Sequence, residues 1–163
     1  IYTFDFPKPK EHSMSIEADI KQEKFKSEYQ KLLVNLLYTG NWLYTKNSQR
    51  LKEYGISAEQ YNILRILRGQ YPKPATVNLL IERMLNKMSN ASRLVEKLRQ
   101  KEYIERQQCA HDRRAVDVVI TEKGLELLKE IDETEETWLK RFEHISLVEA
   151  HELNRLLDKV RTE

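Results

Sequence analysis

"AHDRRAVDVVITEKG", residues 110–124, places two arginines ahead of an alternating extended run and then a helix start. Val116, Val118 and Ile120 recur at every second position, the period of a strand with one buried face. Pairing this run, residues 115–120, with residues 103–107 gives a two-stranded hairpin. Its tip carries Asp112, Arg113 and Arg114, where no internal contact calls for a cation. Thr121 stands where it can cap a helix starting at Glu122. A hairpin tip bearing arginines reads as a probe for something anionic.

The residues before the hairpin fix what it belongs to. Met88, Ala91, Leu94, Val95 and Leu98 fall at helical spacing, so a helix is expected from about Lys87 to Lys101, with Asn86 as its cap. Ser57-Ala-Glu-Gln60 has the form of a capping box, and Ile56 and Tyr61 flank it at the spacing of a hydrophobic staple. A helix follows to about Leu67, burying Tyr61, Leu64 and Leu67. Gly69 to Pro74 read as a loop, and Thr76 then caps a short helix ending near Leu85. Short helices joined by a tight turn and followed by a hairpin make a winged helix-turn-helix, here residues 55–121.

Both flanks read as helical. Residues 17–53 are expected to form one long helix with Ile20, Leu32, Leu33, Leu36, Leu37 and Leu43 on its apolar stripe, interrupted at Gly40 and stopped at Gly55. A second long helix is expected from Glu122 to about Phe142. Ser146-Leu-Val-Glu149 is another capping box, whose helix would bury Ala150, Leu153, Leu156, Leu157 and Val160. The fold class is therefore mainly α with a small β-hairpin. Residues 1–13, with PKPK at 7–10, read as a tail outside the fold, native or appended; they lack the apolar core of a secretory signal.

Composition agrees. The 163 residues are 40% hydrophobic and 33% charged, with only 4 Gly and 4 Pro, which suits long helices better than many tight turns. No apolar run approaches the roughly 20 residues of a membrane span. Cys109 is the single cysteine, so no internal disulfide forms, and a reducing, cytoplasmic setting is expected. The net charge of +2 conceals an asymmetry. Residues 83–114 hold nine Lys/Arg against four Asp/Glu, whereas 122–163 hold seven against twelve. A basic middle beside an acidic end suits a surface for a polyanion.

The helix near residues 87–101 concentrates that charge. Opposite its apolar stripe lie Lys87, Ser89, Asn90, Ser92, Arg93 and Lys97, with no acid between Lys87 and Val95. These side chains hydrogen-bond phosphates and base edges, and small serines let a helix approach a groove wall. A solvated face is also polar, but it usually mixes acids with bases. At the hairpin tip, Arg113 or Arg114 would enter a minor groove, where narrow A·T tracts concentrate negative potential. Asp112 would orient the Arg114 guanidinium.

Asp112-Arg113-Arg114-Ala115-Val116 followed by Ile120-Thr121-Glu122-Lys123-Gly124 resembles the wing and next helix start of the MarR family of bacterial transcription regulators, with Ile120 at the pattern's leucine. Met88 to Leu98 resembles that family's recognition helix, and Ser57 to Leu67 its preceding helix. The resemblance runs from about residue 20 to the C-terminus. It implies a homodimer built by helices in 17–54 and 122–163, bound as a repressor to a palindromic double-stranded DNA operator. Ser89, Asn90, Ser92 and Arg93 would enter the major groove, Arg114 the minor groove, and Arg113 would touch phosphate. The wing is short for the family. The resemblance further implies release of DNA by a small aromatic or amphipathic effector, for which Trp42, Tyr44, Tyr54 and Tyr61 supply candidate aromatic walls.

Two alternatives stand beside this reading. The basic face of a winged helix can dock an acidic protein, and Cys109, beside His111 and Arg113, can act as a redox switch. Cys109 and His111 are too few for a zinc site. No nucleophile elbow, phosphate loop or HExxH occurs, and His12, His111, His144 and His151 are scattered, so no enzyme, cofactor or metal is expected.

Overall fold

A computed structural model describes residues 15–108 and 116–162. The chain divides into two units, one up to Gln49 and one from Arg50 onward.

In the first unit the expected single helix is broken. A short helix α1, Ile16–Ile20, is capped by Ser15, whose hydroxyl accepts from the Ala18 amide at 3.3 Å. It ends where Lys21 turns left-handed at φ 54°, a conformation that costs an L-residue about 1 kcal/mol and stops a helix. The chain restarts as α2, Glu28–Glu53, with Ser27 accepting from the Gln30 amide at 3.2 Å. An ion pair of 2.5 Å joins Lys31 to Glu17 across the break, and the Lys31 ammonium lowers the Glu17 pKa. Gly40 does not interrupt α2, which runs through it with open space around its Cα. Leu32, Leu33 and Leu37 stand exposed along α2, while Leu36 and Leu43 are half-buried.

The second unit holds the main core. Gly55, at φ +70°, ends the turn after α2 in a conformation that suits glycine. Helix α3, Ala58–Gln70, starts on the expected capping box: the Ser57 hydroxyl accepts from the Gln60 amide at 3.2 Å, and the Gln60 side chain accepts from the Ser57 amide at 3.0 Å. It runs three residues past Leu67, so Gly69 and Gln70 are helical rather than loop.

Strand β1, Ala75–Thr76, was hidden between Pro74 and a helix cap. Helix α4, Val77–Arg83, follows with Thr76 as its cap, and α5 spans Ala91–Gln100. Strands β2, Ile104–Gln108, and β3, Val116–Ile120, pair antiparallel, with Ile104 opposite Ile120 and Arg106 opposite Val118. The hairpin is thus part of a three-stranded sheet, β1-β3-β2, with Ala75 opposite Val118. Pairing on both sides holds β3 at the centre.

Helices α3, α4 and α5 and the sheet enclose one core. Ile63, Leu64, Leu67, Leu80, Val95, Leu98, Ile104 and Val118 are all buried in it, together with Leu128 and Ile131 from α6, Glu122–Glu133. Each such side chain contributes about 1.5–3 kcal/mol relative to exposure. An Arg68–Asp132 ion pair of 2.5 Å fastens α3 to α6.

The expected helix over 122–142 is also broken. The Thr134 hydroxyl donates back to the Ile131 carbonyl at 2.9 Å, tightening the last turn of α6. Helix α7, Glu135–Leu139, and a 3-10 turn, Lys140–Phe142, continue beyond it. Helix α8, Leu147–Val160, opens on the expected Ser146–Glu149 box. Its apolar stripe is not buried as expected: Leu153, Leu156 and Val160 are exposed, and Ala150 and Leu157 are half-buried. Among the described residues no helix is long and apolar enough to cross a membrane.

Candidate nucleic-acid interface

Helix α5 begins later than the sequence suggests. Asn90, not Asn86, is its cap, its side-chain oxygen accepting from the Arg93 amide at 3.0 Å. Asn86 instead shapes the turn before the helix, accepting from the Met88 amide at 3.1 Å. Two asparagines compete for one role, and Asn90 takes it, while Ala91, Val95 and Leu98 of the helix enter the core. Met88 leaves the apolar stripe and stands in solvent.

This shift sorts the expected contact residues. Ser92 and Arg93 lie exposed in the first turn of α5, and Lys97 is exposed one turn later. Ser89 and Asn90 precede the helix, and with Arg93, Leu94, Lys97 and Glu59 of α3 they line one shallow, open groove. Lys87 is set apart: its ammonium donates to the carbonyls of Ile81 (3.3 Å) and Glu82. A cation there offsets the negative end of the α4 dipole. Its charge is therefore engaged within the chain.

Pairing separates the remaining cations into two kinds. Glu96 binds Arg99 on its own helix at 2.9 Å and Arg106 of β2 at 3.3 Å. The Arg99 guanidinium, aided by Arg106, holds the Glu96 carboxyl below the usual carboxylate range, so the clamp between α5 and the hairpin stays charged as pH falls. Arg93 and Lys97 form no ion pair among the described residues. The i, i+3 spacing of Glu96 and Arg99 is visible in sequence; the reach to Arg106 is a product of the fold.

Arg113, Arg114, Asp112, Cys109 and His111 lie outside the described residues, in the connection between Gln108 and Val116. The four aromatic candidates have different settings. Trp42 lines an open groove in the first unit with Ile16, Tyr38 and the Lys31–Glu17 pair, and Tyr44 is exposed. In the second unit the Tyr54 hydroxyl lies 3.4 Å from that of Thr134, and Tyr61 accepts from Arg65 at 3.1 Å. Among the described residues no cluster of three His, Cys, Asp or Glu is placed to hold a metal ion.

A capped helix whose first turns carry cations in no ion pair among the described residues, clamped to a β-hairpin behind a buried helical core, defines a winged helix-turn-helix. Residues 54–115 match the model of the MarR family. The chain is 29% identical over 105 residues to the transcriptional repressor MprA of Escherichia coli K12, an overlap of 63% of this chain and 60% of MprA. It thus spans well under two thirds of the length of the curated relatives it matches. A MarR transcription factor from Planctomyces limnophilus superposes with a TM-score of 0.65 at 29% identity, covering 83% of this chain and 98% of that one. A MarR-like regulator from Bacillus cereus shares the fold with a TM-score of 0.73 at 23% identity, over 82% and 96% of the two chains. Over residues 54–115 the chain is thus similar to the MarR family, and the solved relative at 29% identity is a MarR transcription factor.

Proposed function

We propose that this protein is a homodimeric, sequence-specific repressor of transcription, acting in the cytoplasm on a palindromic duplex operator. One observation carries the reading: Arg93, exposed beside Ser92 in the first turn of α5, forms no ion pair among the described residues, while the nearby cations Arg99 and Arg106 share the Glu96 carboxylate. An α5 laid in the major groove presents those first-turn residues to base edges. The hairpin would then bring Arg113 to phosphate and Arg114, oriented by Asp112, to the adjacent minor groove. The MprA likeness, to a repressor, supports the sign of regulation.

Dimerisation by the terminal helices belongs to the same proposal. Leu153 and Leu156 are 47% and 42% exposed on one face of α8, and Leu32, Leu33 and Leu37 are exposed on α2. Apolar stripes of this kind need a covering surface, and a second copy supplies a self-complementary one. Replacing Leu153 and Leu156 together by Glu is expected to yield a folded monomer, read by sedimentation, with weakened duplex binding. A small aromatic or amphipathic effector relieving repression completes the reading.

Selection of bound sequences from random duplexes tests it. The expected product is a palindrome with half-sites about 10 base pairs apart, bound with an affinity that falls steeply as salt rises. Duplex binding that is undetectable even at low salt would overturn it and favour a module that docks an acidic protein. Peroxide-induced release lost in Cys109→Ser would instead add a redox switch.

A further inference from the structure

We propose that Met88 is a specificity contact, packing its thioether side chain on the C5-methyl group of a thymine in each half-site. The inference rests on the DNA reading above and deepens it. Met88 is 93% exposed and Leu85 90% exposed, two large apolar side chains in solvent within four residues. A single exposed apolar residue is ordinary. The turn around these two is not.

Its backbone is tied at successive points by asparagine side chains. Asn62 of α3 accepts from the Leu85 amide at 2.9 Å, Asn86 from the Met88 amide at 3.1 Å, and Asn90 from the Arg93 amide at 3.0 Å. The Ser89 amide donates to the Asn86 carbonyl at 3.3 Å. On either side, Met84 and Ala91 occupy the core. Met88 is therefore held outward by a fixed turn whose interior positions are already filled.

The position names the partner. Met88 lies two residues ahead of the α5 cap and next to Ser89, which with Asn90, Arg93, Leu94 and Lys97 and with Glu59 of α3 lines the groove, in a stretch with no acid before Val95. A surface this basic is complementary to phosphate, so its apolar element must meet an apolar feature of the same duplex. In the major groove that feature is the thymine methyl. An unbranched, polarisable thioether adapts its shape to it.

The test uses the full chain and the duplex it selects, with each thymine replaced in turn by deoxyuridine. Replacement in one half-site is expected to weaken the unaltered protein about fourfold, the worth of one buried methyl group. In Met88→Ala the same replacement is expected to have no further effect, and Met88→Leu is expected to keep the sensitivity. Thermal melting that is unchanged in Met88→Ala would show that the fold is intact. Equal sensitivity of Met88→Ala and the unaltered protein at every thymine overturns the inference while leaving the DNA reading standing. Failure to select any duplex overturns both.

Discussion

Arg93→Ala is expected to weaken binding to the selected duplex about 10- to 100-fold for each half-site, the range for loss of one base-reading arginine contact. The same substitution is expected to leave the melting temperature unchanged or slightly raised. Arg93 sits in the first turn of α5, where the helix dipole is positive and no acid of the same turn offsets it, so the guanidinium is unfavourable to the helix that bears it. Its side chain is exposed and in no ion pair among the described residues, while its amide, the group that receives the Asn90 cap, survives the substitution. A residue that works against local stability and is kept in solvent is what a binding surface requires. Arg99→Ala is the contrast. It removes an equal charge from the same helix, but one already held by Glu96, and is expected to change affinity about twofold or less. Titration of both variants against salt completes the comparison: if Arg93 reads a base, the sequence preference relaxes, and if it holds phosphate, the salt slope falls by about one. Equal effects of the two substitutions would show that α5 contributes only diffuse charge.

The winged helix was legible in the sequence because its signals are local. The Ser57–Gln60 and Ser146–Glu149 capping boxes form with the expected partners. The alternation of Val118 and Ile120 places both in the core. What sequence left open depends on contacts between distant segments or between equal local choices. Strand β1 has two residues and exists only because Ala75 meets Val118. Asn86 and Asn90 are equally good caps by residue type, and the structure uses Asn90 for the helix and Asn86 for the turn before it. Lys87 lies on the polar face in sequence, and its hydrogen bonds to the carbonyls of Ile81 and Glu82 come only with the fold. The α8 stripe is apolar by its spacing, yet Leu153, Leu156 and Val160 stand exposed, because spacing marks an apolar face without saying what covers it.

Gly124→Ala is expected to destabilise the protein by about 3 kcal/mol, combining overpacking with loss of a hydrogen bond. The melting temperature should fall by about 6–12 °C for a chain of this size. The reason is space, not backbone conformation. A Cβ at Gly124 would lie 2.4 Å from the Tyr103 carbonyl oxygen and 2.7 Å from Cγ1 of Ile120. The carbonyl has no easy retreat, because it accepts from the Thr121 amide at 3.1 Å. Thr121 is pinned in turn: its hydroxyl donates to the Glu102 carbonyl at 2.7 Å and accepts from the Gly124 amide at 3.1 Å. These bonds fasten the root of the hairpin, where Ile104 pairs with Ile120, to the start of α6. An added methyl must therefore separate α6 from the hairpin, tilting the wing relative to α5, so duplex affinity should fall along with stability. Gly40→Ala and Gly69→Ala are the controls. Both sites are helical with nothing within 4 Å, so alanine should stabilise each by about 0.5–1 kcal/mol. Unfolding in urea measures all three, and a Gly124→Ala protein as stable as its parent would mean that the junction between hairpin and α6 has room the close approach of Tyr103 denies.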